Sequence, residues 1–177
     1  MRLFRRTSLL FFRHDCVPVT VTTGEIVYRL VGEAEFPWEA HSFQRHRATY
    51  RRRFAEGGTA FIGYKDTEIV IHAWLVAGML RIDELAMDWR IPEQVVAVYD
   101  VVTIPAWRGQ GIYTEALRRL PGLLEGDVRY LWIYADKENT ASLRGIRKAQ
   151  YSPIGMITAR RFAGMTFRSG IVQGVNA

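Results

Sequence analysis

A chain of 177 residues fits one domain and would be crowded as two full-sized ones. With 49% hydrophobic and 24% charged residues, disorder of the whole chain is excluded. A single cysteine, Cys16, excludes an internal disulfide framework and zinc sites built from several cysteines. The formal charge is +6, and only Lys65, Lys137 and Lys148 among the basic residues are lysines. Such a balance favours an anionic partner: nucleic acid, a membrane surface or a polyanionic cofactor. No apolar run reaches the roughly 18 residues of a spanning helix.

The N-terminus opens with basic residues and then Ser8 to Phe12. Arg13-His14-Asp15 ends that apolar stretch too early for a secretory signal, so it reads as the first strand, and a reducing cytoplasmic setting is expected. Residues 8–13 and 17–22 are read as two strands around Pro18. Phe36, Ala40, Phe43, Tyr50 and Phe54 recur at helical spacing, which predicts one helix ended by Gly57-Gly58. Arg45, Arg47, Arg51, Arg52 and Arg53 fall mostly off that face and read as solvated. Residues 59–64 and 68–76 flank Lys65-Asp66-Thr67 as a hairpin, and 79–84 form a short strand. Trp89-Arg90-Ile91-Pro92 reads as a loop.

Val95 to Ile104 is a long β-branched run, predicted as a central strand that Pro105 ends. Gly109 to Leu120 follows as a helix, Arg129 to Ala135 as a buried strand, and 140–149 as a helix after the Asp136 to Asn139 turn. Two more strands flank Ala163-Gly164. The pattern predicts an α/β (α+β) sandwich with a mixed sheet in a single domain over residues 1–177.

Between the central strand and its helix stands Pro105-Ala106-Trp107-Arg108-Gly109-Gln110-Gly111-Ile112-Tyr113. Glycines permit close backbone approach, and amides at a helix start point outward at an anion. The Walker string is missing, and the dinucleotide fingerprint lacks its third glycine and its acidic residue. The run resembles the acyl-CoA-binding signature of the GNAT superfamily of N-acyltransferases, (R/Q)-x-x-G-x-(G/A), with Tyr113 at the last position. A second segment, Asn139-Thr140-Ala141-Ser142 and then Lys148-Ala149-Gln150-Tyr151, is similar to that family's N-x-x-(A/S)…K-x-G-F. Gln150 and Tyr151 depart from it. The chain also looks like members that carry an R-G-x-G-I-Y loop.

The resemblance implies a mostly antiparallel central sheet flanked by helices, and an acetyl-CoA-dependent transfer to a primary amine of a small molecule or amino sugar. It places the cofactor on the backbone of Val102, Thr103 and Ile104. Its pyrophosphate falls on the amides of Arg108, Gly109, Gln110, Gly111, Ile112 and Tyr113, and Asn139 and Ser142 flank the thioester end. The attack is direct, since Cys16 lies in the N-terminal strands.

Asp100 is the first candidate base, because a carboxylate inside an apolar run needs a job or a partner. The alternative is a structural carboxylate paired with an arginine. Glu84 and Tyr99 stand in reserve. The tyrosine acid that many members carry on their last helix falls here on Ile146, leaving Ser142 or Tyr113 to substitute. His72 and Trp74 alternate on a strand that should face the acceptor, although a core histidine is the commoner outcome. No metal site is expected from His41 and His46. A non-catalytic CoA-binding domain and a basic nucleic-acid-binding module are the alternatives, and no recognition motif supports the latter. Exposed terminal strands could pair two subunits.

Overall fold

The computed structural model describes residues 4–16, 25–162 and 165–172. Eight strands form one sheet in the order β10-β9-β1-β8-β7-β4-β3-β2, with β5 and β6 as a separate hairpin. The strands of the large sheet are β1 (Phe4–Asp15), β2 (Ile26–Val31), β3 (Thr59–Lys65), β4 (Glu68–Val76), β7 (Val95–Thr103), β8 (Tyr130–Asp136), β9 (Ser152–Phe162) and β10 (Met165–Val172). The hairpin is β5 (Met79–Ile82) and β6 (Met87–Arg90). Every neighbouring pair of the large sheet is antiparallel except β7 and β8. The mostly antiparallel mixed sheet follows the expectation.

The helices are α1 (His41–Gln44), α2 (Arg47–Ala55), α3 (Ile112–Arg119) and α4 (Thr140–Lys148). On one face of the sheet, Ile112, Ala116, Leu143 and Ile146 from α3 and α4 pack on Phe12, Val98 and Ile133. On the other, Leu80, Ile82 and Leu85 of the hairpin cover Leu9, Phe11 and Trp132. β1 is therefore apolar on both sides, as an inner strand must be. A third cluster joins Phe36, Phe43 and Tyr50 to Trp74 of β4, and Phe36 alone has five rings within 6 Å.

Several sequence expectations need correction. The helix expected from Phe36 to Ala55 is two helices, broken at Arg45-His46, because the aromatic cluster is gathered by a loop as well as a helix. Met87–Arg90 is a strand, paired with β5 despite its short length. β2 was not anticipated, and the strand expected at 17–22 lies outside the described residues. α3 starts at Ile112, so Gly109 and Gly111 stand before it in the loop. Among the described residues no helix is long and apolar enough to cross a membrane.

His72 belongs to the core rather than to a cleft. It is 5% exposed, with its ring edge-on to Phe43 at 5.1 Å. Burial pushes its pKa down from 6.5 to about 4, against the opposing pull of nearby Asp100. The unfolded chain then binds the extra proton first as pH falls. This contribution is complete above pH 6.5 and is lost progressively toward pH 4, to a total of about 3 kcal/mol. His72→Leu is expected to flatten the fall of the melting temperature between pH 7 and pH 4. An unchanged acid slope would remove His72 as its source.

Candidate active site

The site begins where β7 leaves β8. The two strands pair in parallel from Val95↔Tyr130 to Val98↔Ile133 and no further. Just beyond, β7 carries a bulge opposite Ala73 of β4, between the Trp74↔Tyr99 and His72↔Val102 pairs. Asp100 sits in that bulge at φ 51°, a left-handed conformation uncommon for residues other than glycine. The bulge turns the end of β7 away from β8 and opens a wedge between them.

Ile104 donates its amide to Val70 O at 2.9 Å. By the alternation of an antiparallel ladder, Val102 also faces β4, whereas Thr103 faces the wedge. The Thr103 carbonyl accepts Arg108 Nε at 3.1 Å, which ties the loop back to its strand. Of the three strand residues expected to offer backbone groups, Thr103 therefore has them on the open side. Val102 still lines the cleft, and Ile104 does not.

Gly109 and Gly111 both adopt positive φ, 79° and 80°, which turns the loop into the start of α3. The Arg108 amide, expected to face the pyrophosphate, is instead bonded to Pro105 O at 3.3 Å; those of residues 109 to 114 have no backbone carbonyl partner among the described residues, so the loop presents a row of unspent donors. Gly109, Gly111, Ile112, Tyr113 and Thr114 border a cavity of about 610 Å³ between β7, the loop and α4. Its lining includes Arg108, Gly109, Gly111, Ile112, Tyr113, Asn139 and Ser142. Its charged residues, Arg108, Arg144 and Lys148, are all positive. Gln110 lies on the other side of the loop, beside Trp107 and Lys65.

A second cavity of about 380 Å³ opens on the opposite side of the wedge, under the β5–β6 hairpin and the end of α2. Glu56, Asp83, Glu84, Asp100 and Asp136 line it with Arg52, Arg53 and Arg81. Each of these arginines is already paired with a carboxylate of the same cavity. Arg52 meets Glu56 at 2.9 Å, Arg53 meets Asp100 at 2.7 Å, and Arg81 meets Asp83 at 2.8 Å. The two cavities are thus sorted by charge, one basic and one with an excess of carboxylates. Tyr99 and Glu84, the reserve candidates, both line the acidic one.

Val101, Tyr113, Asn139 and Ser142 line both cavities and mark where they meet. The Asn139 side chain accepts the Ser142 amide at 3.1 Å and caps α4, so it also has a structural task. Tyr113 reaches this point because α4 carries Gly145. A Cβ there would stand 2.6 Å from the Tyr113 ring. Burial pushes the Tyr113 phenol up to about 12, and a hydrogen bond with Ser142 opposes the shift. Ile146 is fully buried in the core. Burial likewise raises the thiol of Cys16 to about 11, and Cys16 lines neither cavity.

Asp100 departs from the expectation that placed it in a buried run. Its side chain is 43% exposed, and Arg53 pairs with it. Arg53 was read as part of a solvated face, yet its side chain is only 14% exposed. That pairing spans 47 residues and carries no local sequence signal. Trp74 does not line either cavity and supports Arg53 from below. Among the described residues, no group of three or more His, Cys, Asp or Glu is placed to hold a metal.

The parallel strand pair is parted by a bulge, and the glycine-loop helix at its open end is the arrangement that the sequence resemblance implied. The chain belongs to the acetyltransferase (GNAT) family, whose profile matches residues 25–151. The match runs from β2 to the end of α4 and leaves β1, β9 and β10 outside. A search of curated proteins finds no match. Among solved structures, a functionally unknown conserved protein from Staphylococcus epidermidis is similar, with a TM-score of 0.60 at 11% identity, over 89% of this chain and 61% of its own. An acetyltransferase of the GNAT family from Colwellia psychrerythraea gives a TM-score of 0.56 at 14% identity, over 90% of this chain and 57% of its own. At these identities the likeness is one of fold, and this chain spans about three fifths of each relative's length.

Proposed function

We propose that the protein is an acetyl-CoA-dependent N-acetyltransferase that acts on a primary amine of a small molecule or amino sugar by direct attack on the thioester. The observation that carries this reading is the meeting of a basic, amide-rich cleft with an acidic one at Tyr113 and Ser142. The unspent amides of the glycine loop, with Arg108, Arg144 and Lys148, hold the phosphates of the cofactor. The opened edge of β7 at Thr103 receives its amide-bearing arm. The acidic cleft draws in a cationic acceptor.

Within that cleft, Asp100 has one carboxylate oxygen on Arg53. Its other oxygen accepts a hydrogen bond from the incoming amine and orients the lone pair, while the amine's proton leaves to water. The nitrogen then bonds to the carbonyl carbon and gives its second proton to water as the adduct collapses, the C–S bond breaks, and the sulfur departs as thiolate. Ser142 donates to the Tyr113 oxygen, and Tyr113 meets the sulfur as a hydrogen-bond donor. A thiol of pKa about 8.5 is a stronger acid than a phenol pushed up to about 12, so full transfer from Tyr113 would be uphill. Tyr113 therefore stabilises the leaving charge without surrendering its proton, and the thiolate is finally protonated from water.

The test compares two acceptors of equal length, butylamine and 4-aminobutanoate, by release of free thiol from acetyl-CoA. Butylamine is expected to have about tenfold higher kcat/KM at low salt, with the gap narrowing as salt is raised. Equal values at all salt concentrations would contradict the charge sorting. Acetyl-CoA binding without turnover of these or of glucosamine would make this a non-catalytic CoA-binding domain.

A further inference from the structure

Arg53 combines features that a surface helix does not require. Its guanidinium carbon lies 5.5 Å from the ring centre of Tyr50, 5.2 Å from that of Trp74 and 5.1 Å from that of Tyr99. Tyr50 lies on Arg53's own helix, whereas Trp74 and Tyr99 come from β4 and β7, so two further elements fix the side chain. From this cage it reaches Asp100 Oδ2 at 2.7 Å. Neighbouring arginines of α2 are treated differently. Arg52 is spent on Glu56 at the end of its own helix, and Arg51 lies beside Trp38 on an exposed surface.

Asp100 in turn is held in an unfavourable backbone conformation. A left-handed aspartate in a strand persists only where its surroundings impose it. Here the bulge lifts the carboxylate out of the sheet, and Arg53 pins one of its oxygens. The second oxygen has no hydrogen-bond partner among the described residues, and the residue lines the acidic cavity. A carboxylate held at one oxygen offers an amine one lone-pair direction rather than many, so orientation is settled before binding.

We infer that Arg53 is a positioning residue, which fixes Asp100 so that its second carboxylate oxygen receives and aims the acceptor's amino group. This rests on the N-acetyltransferase reading and adds a recognition device to it. Cation–ring contacts hold the arginine, the ion pair holds the aspartate, and the aspartate selects primary amines able to donate a hydrogen bond to it. Lysine would keep the charge but not the planar fork that fits both rings and carboxylate.

The test uses thiol release with 1,4-diaminobutane, butylamine and glucosamine as acceptors, alongside calorimetric titration of acetyl-CoA. Arg53→Met keeps apolar volume against the rings and removes the charge. With the best of the three amines, it is expected to raise the amine KM about tenfold and to leave acetyl-CoA affinity unchanged. Asp100→Asn should give a similar rise, and the double variant no more than Asp100→Asn alone. Arg53→Lys should recover part of the loss and also guards against misfolding of Arg53→Met. If Arg53→Met multiplies its cost onto Asp100→Asn, Arg53 is only structural and the inference falls with the enzyme reading intact. If acetyl-CoA binds but none of the three amines reacts, the N-acetyltransferase reading falls and the inference falls with it. Failure of the wild-type protein to bind acetyl-CoA would likewise defeat the underlying functional reading, and the inference with it.

Discussion

Replacing Tyr113 with phenylalanine is expected to lower turnover about 10- to 100-fold while acetyl-CoA affinity stays within about twofold. The phenol stands where the two cavities meet, bonded to Ser142. It interacts most strongly with charge that exists only as the C–S bond breaks, so its loss falls on kcat rather than on binding. Because burial pushes its pKa up to about 12, Tyr113 keeps its proton throughout the working range. The basic side of the pH profile should therefore carry no descending limb from Tyr113 below about pH 11. Gly145→Ala should behave similarly, since a Cβ 2.6 Å from the ring must displace it. It also adds an overpacking cost of about 1–3 kcal/mol, read as a lower melting temperature. Full turnover in Tyr113→Phe would remove the tyrosine from the reaction.

The second large effect is expected at Gly111. Its φ of 80° is reached at little cost by glycine and at high cost by a β-branched residue. Nothing lies within 4 Å of a Cβ built there, so the penalty is one of backbone conformation and not of space. Gly111→Val should swing the loop amides off their common target and weaken acetyl-CoA binding by at least about 30-fold, through lost anion contacts. Gly111→Asn, which tolerates the left-handed region, should lose several-fold less. Equal losses in both variants would mean that side-chain bulk, rather than amide direction, controls the site.

The parts of this site written in consecutive residues were legible in the sequence. A β-branched run, a proline stop and two glycines opening a helix specify one local arrangement, and Val95–Thr103 and Ile112–Arg119 follow it. The contact of Tyr113 with Ser142 required α3 and α4 to pack side by side, and Gly145 gives no sign in sequence that it makes room for a ring. Asp100 was found for a partly mistaken reason. Its apolar neighbours implied burial, whereas the bulge lifts it into an open cleft. Arg53 was hidden among other arginines, because its distinction is a cage completed by Trp74 and Tyr99 from two strands distant in the chain. The placement of β1 between β8 and β9 is also non-local, since alternation shows only that both its faces are apolar.

The central claim is that the amides between Gly109 and Thr114 hold the phosphates of acetyl-CoA. Calorimetric titration of the wild-type protein and of Gly111→Val with acetyl-CoA, with NAD and ATP as controls, tests it most directly. Saturable 1:1 binding of acetyl-CoA to the wild-type protein is expected, with Kd between about 1 µM and 1 mM, no comparable binding of the controls, and marked weakening in the variant. Absence of acetyl-CoA binding up to millimolar concentration would contradict the account.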